Sequence, residues 1–200
     1  MTRAVWEALL EAMRAVHEEA ATADFCAFPG DLRETAFEAF DHPAAGVFLG
    51  DDLGATPYGA TVEAIRRASP HAHWRETYKG TAIGDDFMAR FGCYCLIGPD
   101  APWTSDEMYG FFVYMPAGLW YPWHEHPAEE MYLVLAGEGL FFKEGAEPRQ
   151  LGPGEAAFHG GSVPHALLTE EKPVLAYVIW RNGFETAPML TPGRSLVGPA

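Results

Sequence analysis

The segment 118–137 constrains the fold of this chain more than any other part of the sequence. It contains His124, His126, Glu130 and Tyr132, all at even positions. Successive side chains of a β-strand point to opposite faces, so these four can share one face while the odd positions between them face the other way. Imidazole and carboxylate groups held on rigid strands are typical ligands of Zn, Fe, Mn and Ni. The segment therefore predicts a metal site built on β-strands.

A second segment, residues 153–165, ends at His165 after a turn rich in glycine and proline. The turn residues predict a short strand that begins near this histidine. A histidine on a separate strand can complete a site that an earlier strand begins. We therefore predict four metal ligands, which are His124, His126, Glu130 and His165.

The other histidines and the cysteines are expected to be structural. Two glycines follow His159 and interrupt its alternation with the end of the second segment, so we expect this histidine not to be a ligand. His71 and His73 form another His-x-His pair, but no carboxylate follows at the required distance. Cys93 and Cys95 share one face of a predicted strand and are expected to be buried small hydrophobic residues.

The two segments resemble the two motifs of the cupin superfamily. The first motif is matched in full, at Gly118, His124, His126, Glu130 and Gly137. The second is matched in spacing from Gly154 to His165 but departs from the family pattern at Gly160, Ser162 and Thr169. The resemblance implies a mainly β chain, folded as a cupin double-stranded β-helix (jelly-roll) barrel that holds a divalent metal. It does not indicate the reaction, because one fold hosts many chemistries.

The composition indicates an acidic, folded chain. The 200 residues carry 28 acidic and 13 basic side chains, which give a formal net charge of −15. Nucleic acids and anionic membranes bind clustered Lys and Arg, so we expect neither as a partner. A small cationic or zwitterionic substrate suits this charge better than an anionic one. Three cysteines, no long apolar run and no signal-peptide core lead us to expect a cytoplasmic protein.

The hydrophobic pattern divides the chain into a helical part and a strand-rich part. Helices are predicted over 3–20, 31–40 and 57–68, the second capped by Asp31 and ended by His42-Pro43. Short aromatic or β-branched runs predict strands over 72–79, 87–97, 108–115, 131–135, 140–142, 155–158, 166–168 and 174–180. We expect an α-helical N-terminal segment (1–70) packed on the barrel (71–185), followed by an extended tail (186–200).

Tyr132 indicates a chemical role for the predicted site. A phenol has a pKa of ~10 in water and is a poor base at neutral pH. A nearby dication stabilises the phenolate, which could then remove a carbon-bound proton from a coordinated carboxylate substrate. Five other aromatic residues either pack the barrel or form a cage for a quaternary cation. They are Trp120, Tyr121, Trp123, Tyr177 and Trp180.

The resemblance becomes more specific over 121–135, Tyr-Pro-Trp-His-Glu-His-Pro-Ala-Glu-Glu-Met-Tyr-Leu-Val-Leu, which is similar to the first motif of the cupin-type lyases of dimethylsulfoniopropionate. The similarity implies that this small zwitterion is split into dimethyl sulfide and acrylate, with one divalent metal and no organic cofactor. It implies metal binding by His124, His126, Glu130 and His165. It also implies catalysis by Tyr132 as the base and by Tyr121, and substrate contacts from Tyr121, Trp123 and Trp180.

Two other functions stay open at this level. Three histidines and a glutamate would also suit an Fe(II) dioxygenase of a small thiol or aromatic substrate. A cupin without activity, which binds a metal or ligand for sensing or storage, is the second alternative. The sequence does not choose among Zn, Fe, Mn and Ni, and it is compatible with a monomer or a homodimer.

Overall fold

The structure, a computed structural model, describes residues 2–199. Within these residues the helices are α1 (Thr2–His17), α2 (Ala20–Phe25), α3 (Pro43–Gly50), α4 (Gly59–Ala68) and α5 (Asp85–Arg90), with a 3₁₀ turn at Ser69–His71. All five helices precede the strands that follow residue 91, as the sequence predicts. In this part of the chain, no helix combines the length and the apolar composition that crossing a membrane requires.

The strands form two sheets. They are β1 (Arg33–Glu34), β2 (Gly92–Ile97), β3 (Trp103–Thr104), β4 (Tyr109–Met115), β5 (Trp120–Glu125), β6 (Glu129–Gly137), β7 (Gly139–Lys143), β8 (Arg149–Leu151), β9 (Ala156–His159), β10 (His165–Leu168), β11 (Val174–Arg181) and β12 (Met189–Leu190). The larger sheet has the order β1-β3-β2-β4-β11-β6-β9, and the smaller sheet has the order β12-β5-β10-β7-β8. This arrangement confirms the predicted mainly β cupin barrel preceded by helices.

Strand β6 separates two cores by the alternation of its side chains. Tyr132 and Val134 belong to the core enclosed by the two sheets. Leu133 and Leu135 belong to the core between the larger sheet and the helices. The alternation predicted from the sequence is confirmed, because every side chain of a strand that is covered on both faces must enter one core or the other.

Helix α1 packs its apolar face into the core between the larger sheet and the helices, the outer core. Leu9 and Met13 are fully buried, and Trp6 and Val16 are nearly so. These residues recur three or four positions apart, which places them on one side of a helix. Burial of each such side chain stabilises the fold by about 1.5–3 kcal/mol. The helical layer is thus fixed on the outer face of the sheet and leaves the inner face to the barrel.

The prediction of a helix over 31–40 is wrong. Asp31 does not cap a helix, because its carboxylate accepts hydrogen bonds from the Ser105 hydroxyl and from the Asp106 main-chain N–H. These contacts cross 74 and 75 positions of sequence, so a local pattern cannot report them. The chain instead forms the short strand β1, which pairs with β3.

The predicted end of that helix at His42-Pro43 is also wrong, because a helix begins there. His42 is the N-cap of α3, and its Nδ1 accepts a hydrogen bond from the N–H of Ala44 at 3.3 Å. Proline is favoured in the first helical turn, where its missing N–H would have no partner. The same dipeptide can therefore end one helix or begin another.

Two predicted strands are only partly formed. In the segment 72–79, His73 and Trp74 make isolated bridges to Phe40 and Tyr94, and no continuous ladder follows. The segment 87–97 begins in α5 and becomes strand β2 only at Gly92. Asp85 and Asp86 occupy the first turn of α5, where acidic side chains interact favourably with the helix dipole.

Gly137, the last residue of the first motif, allows β6 to turn tightly into β7. Its φ is +70°, and a Cβ added there would lie 1.8 Å from the carbonyl oxygen of Pro173. Only glycine combines this backbone conformation with so close an approach. The turn sets the end of β6 and so helps to fix the register of Glu130 and Tyr132.

Candidate metal centre

Three of the four predicted ligands come together between the sheets. His126, Glu130 and His165 each offer one ligand atom, and these atoms all lie within 4.8 Å of one another. Glu130 lies on β6 of the larger sheet, His165 begins β10 of the smaller sheet, and His126 directly follows β5. All three side chains are at most 3% exposed. Two imidazoles and a carboxylate in such a buried group are typical of a transition-metal site.

Main-chain carbonyls orient the two imidazoles. Nδ1 of His126 lies 3.1 Å from the oxygen of Ala128, and Nδ1 of His165 lies 2.9 Å from the oxygen of Val163. A carbonyl oxygen can only accept, so each Nδ1 carries the proton and donates it. Each Nε2 therefore presents a lone pair. This pattern is common in metal-binding histidines, because the hydrogen bond fixes both the tautomer and the ring.

The two Nε2 atoms fit a divalent metal. Both are buried and have no hydrogen-bond partner within residues 2–199. They lie 3.4 Å (His126) and 2.9 Å (His165) from the carboxylate oxygens of Glu130. A lone pair that faces a carboxylate oxygen is repelled unless the ring is protonated or a cation lies between them. A metal ion would remove this repulsion and give all three groups a partner.

Glu130 is held by two further side chains. The indole Nε1 of Trp180 donates to Oε1 at 2.6 Å, and Nδ1 of His159 donates to Oε2 at 3.1 Å. Burial by itself would raise the pKa of this carboxyl, but positive charge on His126 and His165, when these rings are protonated, and the hydrogen bonds outweigh burial and hold the pKa of Glu130 well below its ordinary value. A bound cation would supply that positive charge when both rings are neutral. The carboxylate is thus ionised and fixed in orientation, as a metal ligand requires.

His124, the fourth predicted ligand, lies beside this group. Its ring centroid is 4.1 Å from that of His165 and 6.5 Å from that of His126. Its Nδ1 bonds to the oxygen of Pro122 at 2.8 Å, so Nε2 carries the lone pair here too. Burial, and then the neighbouring His165, keep the pKa of His124 well below its ordinary value, so the ring is neutral. Its role as a ligand stays a prediction.

The two predicted catalytic phenols are buried close to this group. Tyr132 lies two positions after Glu130 on the same face of β6. Tyr121 stacks on the His124 ring at 3.8 Å, and its hydroxyl lies 2.7 Å from that of Tyr78. Burial and nearby negative or phenolic groups raise the pKa of both phenols well above 10. Without a cation beside them, both stay protonated at neutral pH.

One cavity is lined by both phenols, by His124 and by Glu130 of the candidate ligand group. It encloses about 410 Å³ including its opening, and its polar and aromatic wall includes Arg75, Tyr121, His124, Glu130, Tyr132 and Trp180. Most of the remaining wall is apolar. A cavity of this kind, with a few polar groups that converge, is suited to a small ligand. The arrangement places the carboxylate of the candidate ligand group, an adjacent phenol and aromatic faces in one cavity.

Comparison with known proteins identifies the family. A family model described as dimethylsulfoniopropionate lyase matches residues 46–176. The chain belongs to this lyase family. The dimethylsulfoniopropionate lyase DddQ of Ruegeria pomeroyi is 46% identical over 192 residues, which cover 95% of this chain and 96% of that protein. Its crystal structure matches with a TM-score of 0.91 over 94% of this chain and 96% of that chain. A structure described under the names RdDddP and RnDddQII matches with the same TM-score at 34% identity, over 96% and 100% of the two chains.

In this member of the dimethylsulfoniopropionate lyase family, Trp123 does not line the cavity. Trp123 is half-buried, and the guanidinium of Arg194 lies 4.6 Å from its ring. Strand β5 carries one extra residue opposite β10, between Tyr121 and His124. Such a bulge reverses the alternation, so Tyr121 and His124 both face inward and Trp123 faces outward. We therefore assign no substrate contact to Trp123.

Two more aromatic residues of the predicted cage lie elsewhere. Trp120 packs edge-on against Phe142, with 5.4 Å between ring centroids. Tyr177 belongs to the outer core, and its hydroxyl lies 3.1 Å from Nδ1 of His17. Trp120 and Tyr177 therefore follow the barrel-packing alternative in this lyase family member. Of the five, only Tyr121 and Trp180 line the cavity.

The structure adds to the site His159, which the sequence predicts to be structural, and Tyr78, which the sequence analysis does not name. Strand β9 pairs with β6 so that His159 lies directly opposite Glu130. The His159 ring also stacks on His165, with 4.1 Å between centroids and 11° between planes. Tyr78 comes from the irregular segment after Trp74 and bonds to Tyr121. Both contacts depend on long-range pairing, so spacing within one motif gives no signal for either.

Proposed function

We propose that this chain is a metal-dependent carbon–sulfur lyase that cleaves dimethylsulfoniopropionate to dimethyl sulfide and acrylate, with Tyr132 as the base. The observation that carries the mechanism is that Tyr132 lines the same cavity as Glu130, the carboxylate of the candidate ligand group, and as His124. The family and the 46% identical relative, which is named as a lyase of this compound, support the substrate.

The metal would be held by His126, Glu130 and His165, with His124 as the proposed fourth ligand. A divalent metal bound there supplies positive charge that binds the substrate carboxylate, acidifies the adjacent C–H and favours the phenolate form of Tyr132. Trp180 and His159 hold Glu130 in place. The hydrogen bonds from Nδ1 to main-chain oxygens keep the Nε2 lone pairs of the histidines available.

Tyr132 would take the proton from the carbon next to the carboxylate. The electron pair of that C–H bond becomes the second bond of the alkene, and the C–S bond breaks with its pair going to sulfur. Dimethyl sulfide leaves as a neutral molecule, acrylate remains, and the phenol returns its proton to solvent. The reaction is balanced without water, an oxidant or an organic cofactor.

Tyr121 and Trp180 are proposed to contact the substrate, because both line the cavity. Tyr121 is the second proposed catalytic phenol, and its hydroxyl is oriented by Tyr78 at 2.7 Å. Aromatic faces attract a sulfonium cation by about 0.5–2 kcal/mol each. Phe91 and Phe111 add further apolar surface to the same wall.

The test is headspace gas chromatography of purified protein with dimethylsulfoniopropionate, run without oxygen after separate loading with Zn, Fe, Mn and Ni. We expect dimethyl sulfide with an equal amount of acrylate, lost on chelation. Tyr132→Phe should lower turnover by at least about 10²-fold while metal content stays near that of the wild type. Tyr58→Phe, outside the cavity, is the matched control. Full activity in Tyr132→Phe would overturn the base assignment, and a requirement for oxygen would overturn the lyase.

A further inference from the structure

Arg75 is a charged residue in the wall of the cavity that the proposed mechanism does not use. Its main-chain N–H bonds to the oxygen of Cys93 at 2.8 Å, which fixes it beside strand β2. Its half-buried side chain lines the cavity. Arg75 and Thr77 also line an outer depression with His73, Glu76 and Asp100. Arg75 thus borders both the surface depression and the cavity.

The protein itself leaves this guanidinium largely unpartnered. Within residues 2–199, its one side-chain hydrogen bond runs from Nη1 to Sγ of Cys95 at 3.5 Å, and no carboxylate lies within ion-pair distance. A thiol is a weak acceptor, whereas arginine carries five N–H donors. Arg66 is also half-buried, yet both of its terminal nitrogens bond to carbonyl oxygens. A charge that is partly removed from water without such partners is unfavourable unless a ligand supplies one.

Arg75 is connected to the candidate ligand group through aromatic side chains of the cavity wall. Its Cζ lies 5.6 Å from the ring of Phe111, whose centroid is 5.0 Å from that of Trp180. Trp180 in turn bonds to Glu130. A series of contacts through two aromatic side chains thus connects the guanidinium to the candidate ligand group. The whole chain has a net charge of −15, which disfavours the approach of an anion, so a local cation is needed to admit one.

We infer that Arg75 is a specificity-determining residue, which binds the carboxylate of the substrate as it passes from the outer depression into the cavity. The planar guanidinium can form two parallel hydrogen bonds to a carboxylate. Its positive charge repels a sulfonium compound that has no carboxylate. Ligands with a carboxylate are therefore admitted and simple cations are disfavoured. The identity of the substrate rests on the proposed lyase function, but the carboxylate contact is testable without turnover.

The test is calorimetric titration with propionate, which has the carboxylate and no sulfonium, and with trimethylsulfonium, which has the reverse. The protein is kept metal-free with chelator and shown by thermal unfolding to be folded, so that a bound metal does not take the carboxylate in place of Arg75. We expect Arg75→Met to weaken propionate binding by about 10- to 100-fold and to leave trimethylsulfonium binding unchanged or stronger. Arg75→Lys keeps the charge but not the planar fork, so its affinity for propionate should be several-fold lower than that of the wild type. This variant provides the measurement if Arg75→Met does not fold. Arg66→Met is the matched control and should bind propionate like the wild type.

A kinetic measurement separates this role from packing. With dimethylsulfoniopropionate, Arg75→Met should raise KM while kcat and metal content stay near those of the wild type. Wild-type propionate affinity in folded Arg75→Met, or no saturable propionate binding by the wild type, would overturn the inference. If no dimethyl sulfide forms with any metal but propionate binding still depends on Arg75, the lyase proposal fails and the carboxylate contact stands.

Discussion

Replacing His159 by phenylalanine should weaken metal binding without unfolding the barrel. His159 donates from Nδ1 to Oε2 of Glu130 at 3.1 Å and stacks on His165 at 4.1 Å. Phenylalanine keeps a ring of similar size for the stack and removes only the hydrogen bond. The substitution therefore isolates the contribution of that bond to the orientation of the carboxylate.

The expected magnitude follows from two independent estimates. A hydrogen bond to a charged acceptor contributes about 1.5–3 kcal/mol. Loss of a residue that orients a metal ligand lowers metal affinity by about 10- to 100-fold, which corresponds to about 1.4–2.7 kcal/mol. Trp180 still holds Oε1 at 2.6 Å, so Glu130 keeps one of its two donors and the effect should not exceed this range.

The assay is competition for Zn²⁺ between the protein and a chromophoric chelator, with thermal unfolding measured in chelator to confirm folding. His159→Asn places an amide N–H near the position of Nδ1 and should recover most of the affinity. His71→Phe, at an exposed histidine outside the site, is the matched control. Wild-type zinc affinity in a folded His159→Phe variant would show that Trp180 alone orients Glu130.

Three further predictions test other parts of the structure. Trp123→Phe should change KM and kcat by less than about twofold because Trp123 lies outside the cavity, and steady-state kinetics that show a KM at least about tenfold higher would contradict its placement. Gly137→Ala should lower the free energy of unfolding by at least about 2 kcal/mol in urea titrations, since the added Cβ would lie 1.8 Å from the Pro173 oxygen at a φ of +70°. Burial lowers the pKa of His17 below 6.5, so the native state binds fewer protons than the unfolded chain and wild-type stability should fall as the pH drops below 6.5. His17→Gln should lose less stability between pH 7.5 and 5.5, and equal losses would show that His17 does not titrate in this way.

Local spacing and the two motifs predicted that His126, Glu130 and His165 would lie together, and their role as metal ligands stays a proposal. His126 and Glu130 lie in one motif, and strand alternation alone places Glu130 and Tyr132 on the same face. His165 joins them because a turn rich in glycine and proline brings β10 next to β5. These features depend on the nearest residues in sequence or on the architecture that the two motifs imply.

Contacts between distant parts of the chain could not be predicted in this way. The pairing of β6 with β9 places His159 opposite Glu130, and no pattern within either strand specifies that register. The role of Asp31 depends on Ser105, which is far away in sequence. The bulge in β5 decides that Trp123 faces outward, although Pro122 inside this strand is the kind of residue found at bulges.

The ligand group spans both sheets, since Glu130 belongs to the larger sheet and His165 to the smaller one. The distance between the two sheets therefore determines the distance between Glu130 and His165. Warming that loosens the packing between the layers would distort the metal environment before any strand separates, so activity should decline below the unfolding temperature. Substitutions that keep the enzyme active at higher temperature would then be expected at residues such as Phe141 and Leu167. These residues pack between the two sheets and do not line the cavity.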